Sequence, residues 1–272
     1  MTRVPMGLAS SLPQKNGFGY YKSPNIEKRY PNIMFSQFTG AEMMAEKYGF
    51  SKDDLDQYAY NSHQRAIAAT QAGLFKDEIV PIEIVRADGS TDTHHIDEGI
   101  RFDVSLDGIK SVKLIAENGK LTAATASQIC DGASGVVVVN ERGLKSLGVA
   151  PMARIHHMTM MGGDPVIMLD APLHATERAL RKTGMSIGDI DLFEVNEAFA
   201  SVPTAWLKTT GADPDRLNVN GGAIALGHPL GGSGTKLMTT LVHALKQRNK
   251  RYGLQTMCEG GGMANVTIVE RL

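Results

Sequence analysis

The chain has 272 residues, a length that suits one large domain or two modest ones. Its 28 basic and 29 acidic residues leave a net charge of −1, which argues against non-specific binding to nucleic acid or to an anionic membrane surface. With 42% hydrophobic and 21% charged residues, the composition is that of an ordinary globular protein.

The chain contains two cysteines, Cys130 and Cys258, which are too few for a disulfide framework and form no Cys-x-x-Cys metal motif. We therefore expect a reducing environment. The amino-terminal residues show no basic segment followed by an apolar run, and no window approaches the ~18 apolar residues of a membrane helix. The sequence thus predicts a cytoplasmic protein without a signal peptide or membrane span.

Residues 1–40 predict an irregular segment, because prolines and glycines interrupt any long helix there. The first predicted helix begins after Ser51, since Ser51 and Asp54 have the spacing of a capping box. Gly73 suits the end of this helix, because glycine readily adopts the left-handed conformation that follows many helices.

Residues 79–85 are rich in β-branched side chains and predict a short strand, and the Asp88-Gly89 pair predicts a turn after it. His94 and His95 lie in the polar stretch that follows. Adjacent histidines alone are weak evidence for a metal site, so a solvated loop is the favoured interpretation.

After Ser127 the pattern changes to alternating strands and helices. The apolar run at residues 136–139 predicts a strand that is covered on both faces. This alternation predicts an α/β fold, a layered sheet with helices packed on it. The other predicted elements are helices at 175–182, 197–208 and 234–247 and strands at 192–195, 254–258 and 266–269.

Asn196 lies where the strand at residues 192–195 gives way to a helix, so its amide can point into the crevice at the ligand-binding end of the sheet. Capping of the helix is an equally good interpretation of an asparagine at this position. The residue by itself leaves a functional and a structural role open.

His228 lies in a glycine-rich loop at residues 221–234, and such an imidazole suits proton transfer or hydrogen-bond donation. A glycine-rich loop that opens a helix also suggests phosphate binding. The spacing fits neither the dinucleotide-binding nor the P-loop pattern, since Lys236 follows Thr235 and not a glycine. Nucleotide binding is therefore the weaker alternative.

Cys258 ends a predicted strand and is followed by a run of glycines that begins at Gly260. An inert core cysteine is the structural alternative. However, glycines beside a thiol leave backbone N–H groups open to a developing oxyanion, and a thiolate can act as nucleophile or base.

Together these three motifs resemble the thiolase family. They are NEAF at residues 196–199, GGAIALGHPLG at 221–231 and CEGGGM at 258–263. Further similarity at residues 2–6, 75–81 and 163–165 extends the resemblance over nearly the whole chain. It implies a thiolase-like layered α/β fold, a mixed sheet packed by helices, with an incomplete first half-domain.

The resemblance divides the chain into three parts. Residues 1–128 resemble the loop region that binds CoA, residues 129–150 resemble a strand that remains from the N-terminal domain, and residues 151–272 resemble the C-terminal domain. Thiolases attack with a cysteine upstream of these parts, and Cys130 stands where the family carries no nucleophile.

The resemblance implies catalytic roles for the matching residues. His228 would activate the nucleophilic cysteine and donate to the thioester oxygen, and Asn196 would complete that oxyanion site, usually through a water. Cys258 would be the acid and base at the α-carbon of the acyl-CoA. The N–H of Gly260 would help to hold the second oxyanion.

The resemblance also implies acyl-CoA and CoA as substrates, no metal or other cofactor, and a homo-oligomer. Ser127 would contact the pantetheine arm, and Ala198, Phe199 and Arg101 are further candidate CoA contacts. Residues 35–38 stand near the acyl pocket and resemble those of degradative members that accept longer or bulkier acyl groups.

The leading hypothesis is a degradative acetyl-CoA C-acyltransferase, which cleaves a 3-ketoacyl-CoA with CoA or condenses two acyl-CoA esters. The alternative is a non-catalytic or partner-dependent subunit that binds CoA esters, with the nucleophile supplied by a partner chain. Retention of both His228 and Cys258 favours the enzyme, since a binding module would not need them.

We expect the chain by itself to form no acyl-enzyme, because neither of its cysteines occupies the position of the family's nucleophile. Incubation with labelled acetyl-CoA, followed by measurement of protein-bound label, tests this expectation. A stoichiometric thioester on the protein would contradict it.

Overall fold

The structure is a computed structural model that describes residues 8–19 and 22–272, the side chains of Ala9 and Ser10 excepted. The similarity at residues 2–6 lies outside the described residues. The helices are α1 (Leu8–Lys15), α2 (Pro24–Arg29), α3 (Gln37–Lys47), α4 (Lys52–Gln71), α5 (Leu106–Lys110), α6 (Glu141–Leu147), α7 (Ala171–Thr183), α8 (Ser201–Thr210), α9 (Ala223–Leu226) and α10 (Ser233–Gln247), and the strands are β1 (Ile82–Val85), β2 (Thr91–His94), β3 (Ala153–Gly162), β4 (Leu192–Val195), β5 (Tyr252–Glu259) and β6 (Met263–Arg271).

Strands β3 to β6 form one sheet in the order β3-β6-β5-β4. β4 runs parallel to β5, whereas β6 is antiparallel to both β5 and β3. α7 packs on β3 and β6, and α10 packs on β4 and β5. This mixed sheet packed by helices confirms the predicted fold class, and α7, α10, β4, β5 and β6 lie where helices and strands were predicted.

Helices cover both faces of the sheet. In β4, Leu192 packs with Leu241 of α10, whereas the ring of the next residue, Phe193, lies 5.0 Å from that of Trp206 in α8. Successive side chains of a strand point to opposite faces, so α10 and α8 lie on opposite sides. All four residues of β4 are therefore buried.

α4 confirms the prediction of a capped helix. Ser51 and Asp54 make the reciprocal hydrogen bonds of a capping box, and Gly73 follows the helix with a φ of +69°. The helix packs against α8 and α9. It thereby supports two of the segments that carry the predicted site residues.

The prediction that residues 1–40 are irregular is wrong, because α1, α2 and the start of α3 lie there. Pro24 does not break α2, since it occupies the first turn, where a proline costs no hydrogen bond. Ser23 and Ser36 cap α2 and α3, each accepting a backbone N–H of the first turn.

The predicted strand at residues 136–139 is also wrong. Its four valines are exposed, Val137 by 82%, and they precede α6. A strand exists through hydrogen bonds to a neighbouring strand, and none of the described strands pairs with this segment. Within residues 129–150 the regular element is thus a helix.

β3 forms the sheet edge although no sequence pattern predicts it. Its pairing with β6 is irregular between Ile155 and His157, and such a bulge interrupts the alternation of side chains. Two predicted elements are shorter than expected, since β1 begins at Ile82 and α8 begins at Ser201. None of the described helices is long and apolar enough to cross a membrane.

Candidate active site

The parallel pair β4 and β5 brings Asn196 and Cys258 to one edge of the sheet. Val195, the last residue of β4, pairs with Thr256 of β5, and the backbone N–H of Asn196 donates to the Thr256 carbonyl at 3.0 Å. Cys258 lies two residues further along β5. Ligands of α/β proteins bind at this edge, where parallel strands end.

His228 is attached to the same edge through its backbone. Its N–H donates to the carbonyl of Gln128 at 2.9 Å, and the side-chain amide of Gln128 donates to the carbonyl of Ile224 at 2.9 Å. Gly227 turns the chain into His228 with a φ of +80°, which favours glycine.

The two ring nitrogens of His228 have different partners. Nδ1 lies 2.5 Å from Ser233 Oγ, and the hydroxyl of Ser233 donates its single proton to the carbonyl of Pro229 at 2.9 Å. With the hydroxyl donating to Pro229, we assign the proton between Ser233 and the ring to Nδ1. In the neutral ring this leaves Nε2 unprotonated, at 3.4 Å from Nδ2 of Asn196. His228 thus presents a basic nitrogen to Asn196.

The surroundings of His228 keep its ring neutral. Burial lowers the pKa of His228, and the positive charge of Lys236 lowers it further. Lys236 donates to the carbonyl of Leu226 at 2.6 Å and lies 3.3 Å from the carboxylate of Asp97. An imidazole whose pKa is below its ordinary value is neutral at pH 7 and can act as a base.

Asn196 does not cap a helix. α8 begins at Ser201, and the residue that precedes it, Ala200, has no capping side chain. The Asn196 side chain is 1% exposed and directs Nδ2 at His228, while its Oδ1 has no partner among the described residues. A buried amide oxygen without a partner can accept a hydrogen bond from a bound ligand or water.

Cys258 is a protonated thiol within the main hydrophobic core. Burial raises its pKa to about 12. Gly260 lies beyond it, exposed in the turn between β5 and β6, where Gly261 and Gly262 have positive φ. The structure thus places the thiol of Cys258 inside the protein and Gly260 at its surface.

Three of the predicted CoA contacts lie next to Asn196 in the chain or in space. The backbone N–H of Ser127 donates to the carbonyl of Ala198 at 3.0 Å. Phe199 is buried, and its ring packs edge-on against Phe38 with 5.3 Å between centroids. Arg101 is different, because its side chain is exposed and makes no hydrogen bond to the other predicted site residues.

Cys130 lies beside the loop that carries His228. A Cβ at position 227 would come within 2.5 Å of the Cys130 sulfur, so this close approach depends on Gly227. Partial burial raises the pKa of Cys130, although the charge of Lys236 opposes the increase. A nucleophilic cysteine needs a lowered pKa, so this environment does not favour Cys130 as the nucleophile.

Two residues that hold His228, Ser233 and Gln128, are not singled out by any of the sequence motifs. A signal for Ser233 exists, since a serine in the first turn of the helix after a glycine loop is well placed to reach back to the loop. Gln128 has no such signal, because its side chain donates to the carbonyls of Gly99 and Ile224, which are 29 and 96 residues away in the chain. The described residues contain no cluster of three or more metal-ligating side chains.

Two family models match the chain. The model described as thiolase, C-terminal domain, matches residues 149–271, and the model described as thiolase, N-terminal domain, matches residues 30–142. The steroid 3-ketoacyl-CoA thiolase FadA6 of Mycobacterium tuberculosis (strain ATCC 25618 / H37Rv) is 48% identical across 100% of this chain and 66% of its own length. The 3-ketoacyl-CoA thiolase of Bacillus subtilis (strain 168) is 38% identical across 97% of this chain and 70% of its own length.

Solved structures are similar as well. Human mitochondrial 3-ketoacyl-CoA thiolase superimposes with a TM-score of 0.80 at 37% identity, over 86% of this chain and 60% of that chain. The Bacillus anthracis acetyl-CoA acetyltransferase gives 0.84 at 34% identity, over 89% of this chain and 61% of that chain. The chain therefore spans between 60% and 70% of the lengths of these proteins.

Replacement of Ser233 with alanine should change the tautomer of His228. Without Oγ the proton on Nδ1 loses its acceptor, so the tautomer with the proton on Nε2 gains population. Nitrogen chemical shifts of the labelled ring measure the change. Thr239→Ala, which removes another hydroxyl of α10, is the control. An unchanged tautomer in Ser233→Ala would contradict the assignment.

His63 should make the stability of the protein depend on pH. Its Nδ1 accepts the backbone N–H of Arg101 at 3.3 Å, and burial, with the charge of Arg101, lowers the pKa of His63 to about 4. In the unfolded chain the His63 ring binds a proton near pH 6.5, whereas in the folded protein it does so only near pH 4. The free energy of unfolding therefore falls by about 3 kcal/mol as the pH drops from 6.5 to 4.

Urea unfolding across this pH range measures the effect of His63. His63→Asn keeps an acceptor near the position of Nδ1 but does not titrate, so we expect its stability to change less between pH 6.5 and 4. Other titrating groups contribute equally to both proteins. Identical pH dependence in the two proteins would show that His63 is not the cause.

Proposed function

The chain belongs to the thiolase family, and from this premise we propose that the protein is an acyl-CoA acyltransferase that cleaves 3-ketoacyl-CoA esters with CoA. In the reverse direction the same chemistry condenses two acyl-CoA esters. The observation that carries the proposal is the neutral His228 ring, with a free Nε2 that faces the buried Asn196 amide at 3.4 Å.

Cleavage begins with a thiolate that attacks the 3-keto carbon. The Nε2 of His228 is the base that accepts the proton of the attacking thiol. The thiol belongs to the family's nucleophilic cysteine, and we assign that step to neither Cys130 nor Cys258. The protonated ring then donates to the carbonyl oxygen and stabilises its negative charge, and a water held by Asn196 would complete the oxyanion site.

The bond between C2 and C3 then breaks, and its electron pair forms the enolate of acetyl-CoA. Cys258 donates its proton to C2, which releases acetyl-CoA and leaves the shortened acyl group on the nucleophile. The thiol of a second CoA returns a proton to Cys258 and attacks the acyl thioester, so the nucleophilic cysteine is restored. The N–H of Gly260 would hold the oxygen of the enolate.

The proposed substrates are a 3-ketoacyl-CoA and CoA. One relative is named a steroid 3-ketoacyl-CoA thiolase, and a human thiolase of similar fold has been solved in complex with CoA. These names, together with the aromatic pair Phe38 and Phe199 beside Asn196, favour a bulky acyl group. A cytoplasmic homo-oligomer without a metal or other cofactor is part of the same proposal.

A thiolysis assay of the protein, with acetoacetyl-CoA and with a longer or ring-bearing 3-ketoacyl-CoA, tests this function. Turnover with CoA requires the family's nucleophilic cysteine, and where that cysteine is supplied we expect a loss of about 10²–10⁴-fold in His228→Ala, the usual contribution of a general base. His243→Ala, on α10 outside the site, should keep its activity and serves as the control.

Equal turnover in the parent and in His228→Ala would contradict the proposed role of His228. No turnover in the parent protein, with CoA esters still bound in calorimetry, would contradict the enzymatic proposal for this chain. That result would instead indicate a subunit that needs a partner for its nucleophile.

A further inference from the structure

Glu197 is a buried carboxylate directly after Asn196. It is 1% exposed, and burial of a carboxylate is costly unless its oxygens receive hydrogen bonds. Both oxygens are fully supplied. The four donors are Tyr58 Oη at 2.9 Å and Asn218 Nδ2 at 2.9 Å to Oε1, and Ser62 Oγ at 2.7 Å and Ile224 N at 3.1 Å to Oε2.

The Oε1 side of Glu197 is linked to the end of β4. Asn218, which donates to Oε1, also donates to the carbonyl of Val195 at 2.9 Å and accepts the N–H of Val195 at 2.9 Å. Val195 immediately precedes Asn196. The position of the Asn196 backbone therefore depends on this side of the carboxylate.

The Oε2 side of Glu197 is linked to the loop that carries His228. Ile224 donates to it from α9, and Ser62 of α4 both donates to Oε2 and accepts the N–H of Gly222 at 3.2 Å. Two residues of the loop are thus tied to Glu197, directly or through Ser62. His228 follows α9 after a single glycine.

The glycine pair at the start of the loop makes this arrangement possible. A Cβ on Gly222 would collide with the carboxylate of Glu197. Gly221 has a φ of +83°, and a Cβ there would lie 2.7 Å from the Cβ of Ala66 in α4. Both glycines therefore serve the contact between the loop, α4 and Glu197, and neither is explained by ligand binding.

We propose that Glu197 is the positioning residue of the active site, which fixes the distance between Asn196 and His228 by binding the end of β4 with one oxygen and the α9 loop with the other. The Glu197 side chain makes no hydrogen bond to His228 and acts through the two segments. The inference rests on the proposed thiolase function for its catalytic consequence, but its structural consequence can be measured separately.

The titration of His228 distinguishes positioning from general support of the fold. The pKa of His228 is lowered by burial and by Lys236, and the charge of Glu197 is not among the causes. Loss of a nearby negative charge can only lower the pKa of an imidazole, so a rise in the His228 pKa of Glu197→Gln reports movement of the loop. A loop that moves exposes the ring to water, which raises its pKa towards the ordinary value.

Glu197→Gln is the test variant, because it keeps the shape of the side chain but places an amide N–H₂ where donors now converge. NMR titration of the His228 ring should give a midpoint closer to the ordinary value than in the parent. In the thiolysis assay we expect kcat to fall by about 10–100-fold with KM little changed, since a misplacement of about 1 Å costs up to about 10²-fold.

Glu194→Gln is the matched control. Glu194 is another buried glutamate, three residues away on β4, and burial raises its pKa well above the ordinary value. Burial disfavours the charged form of Glu194, so glutamine there removes less charge than glutamine at position 197, and the His228 midpoint and kcat should match those of the parent. A folded Glu197→Gln with an unchanged His228 midpoint, or changes of equal size in Glu194→Gln, would overturn the proposal.

Single donors provide a second test if Glu197→Gln does not fold. Ser62→Ala removes a donor on the loop side, whereas Tyr58→Phe removes one on the β4 side. We expect the His228 midpoint to shift in Ser62→Ala more than in Tyr58→Phe. Equal midpoints in both variants and the parent would overturn the proposal. If the parent protein shows no thiolysis, the proposed function fails, while the titration still decides the role of Glu197.

Discussion

The site depends on the hydrogen bond between Nδ1 of His228 and the hydroxyl of Ser233. Because that hydroxyl already donates to Pro229, it accepts from the ring and holds the proton on Nδ1. The other nitrogen is then free to work as a base. Without this constraint a neutral imidazole would be divided between two tautomers, and only one of them could accept a proton in the direction of Asn196. The proton chemistry of the site thus depends on a serine that lies outside the three sequence motifs.

Three segments that are distant in the chain must hold their places for this geometry to persist. They are α4, the end of β4 and the glycine-rich loop, and they meet around the buried Glu197. Glycine in a loop increases the entropy lost on folding, by about 0.5–1 kcal/mol relative to alanine. In this loop the absence of a Cβ permits two close contacts, that of Gly222 with Glu197 and that of Gly227 with Cys130. Tight packing therefore accounts for the glycines at positions 221, 222 and 227 of the loop.

The sequence predicts this fold well where one segment determines its own structure. The capping box at Ser51, the strand at residues 192–195 and the helix that follows the glycine-rich loop are all confirmed, since caps and side-chain patterns act locally. The prediction from sequence fails where a segment becomes a strand only by pairing with another strand. The valines at 136–139 suit a strand but have no described strand to pair with, whereas β3 is a strand because it pairs with β6. The motifs indicate Asn196, His228 and Cys258 as a group, but the roles of Gln128 and Glu197 depend on contacts between distant residues that spacing does not reveal.

Burial affects the two titratable groups of this edge in opposite ways. It lowers the pKa of His228, because the charged form of an imidazole is the protonated one, and it raises the pKa of Cys258 to about 12, because the charged form of a thiol is the deprotonated one. At neutral pH both groups are consequently uncharged, one as a base with a free nitrogen and the other as an acid with a proton to give. A reaction that takes a proton from a thiol and gives one to carbon needs this pair of resting states. A single physical cause, exclusion of water from the end of β4 and β5, provides both, so a change that admits water would favour the charged forms of both groups and draw both away from these resting states.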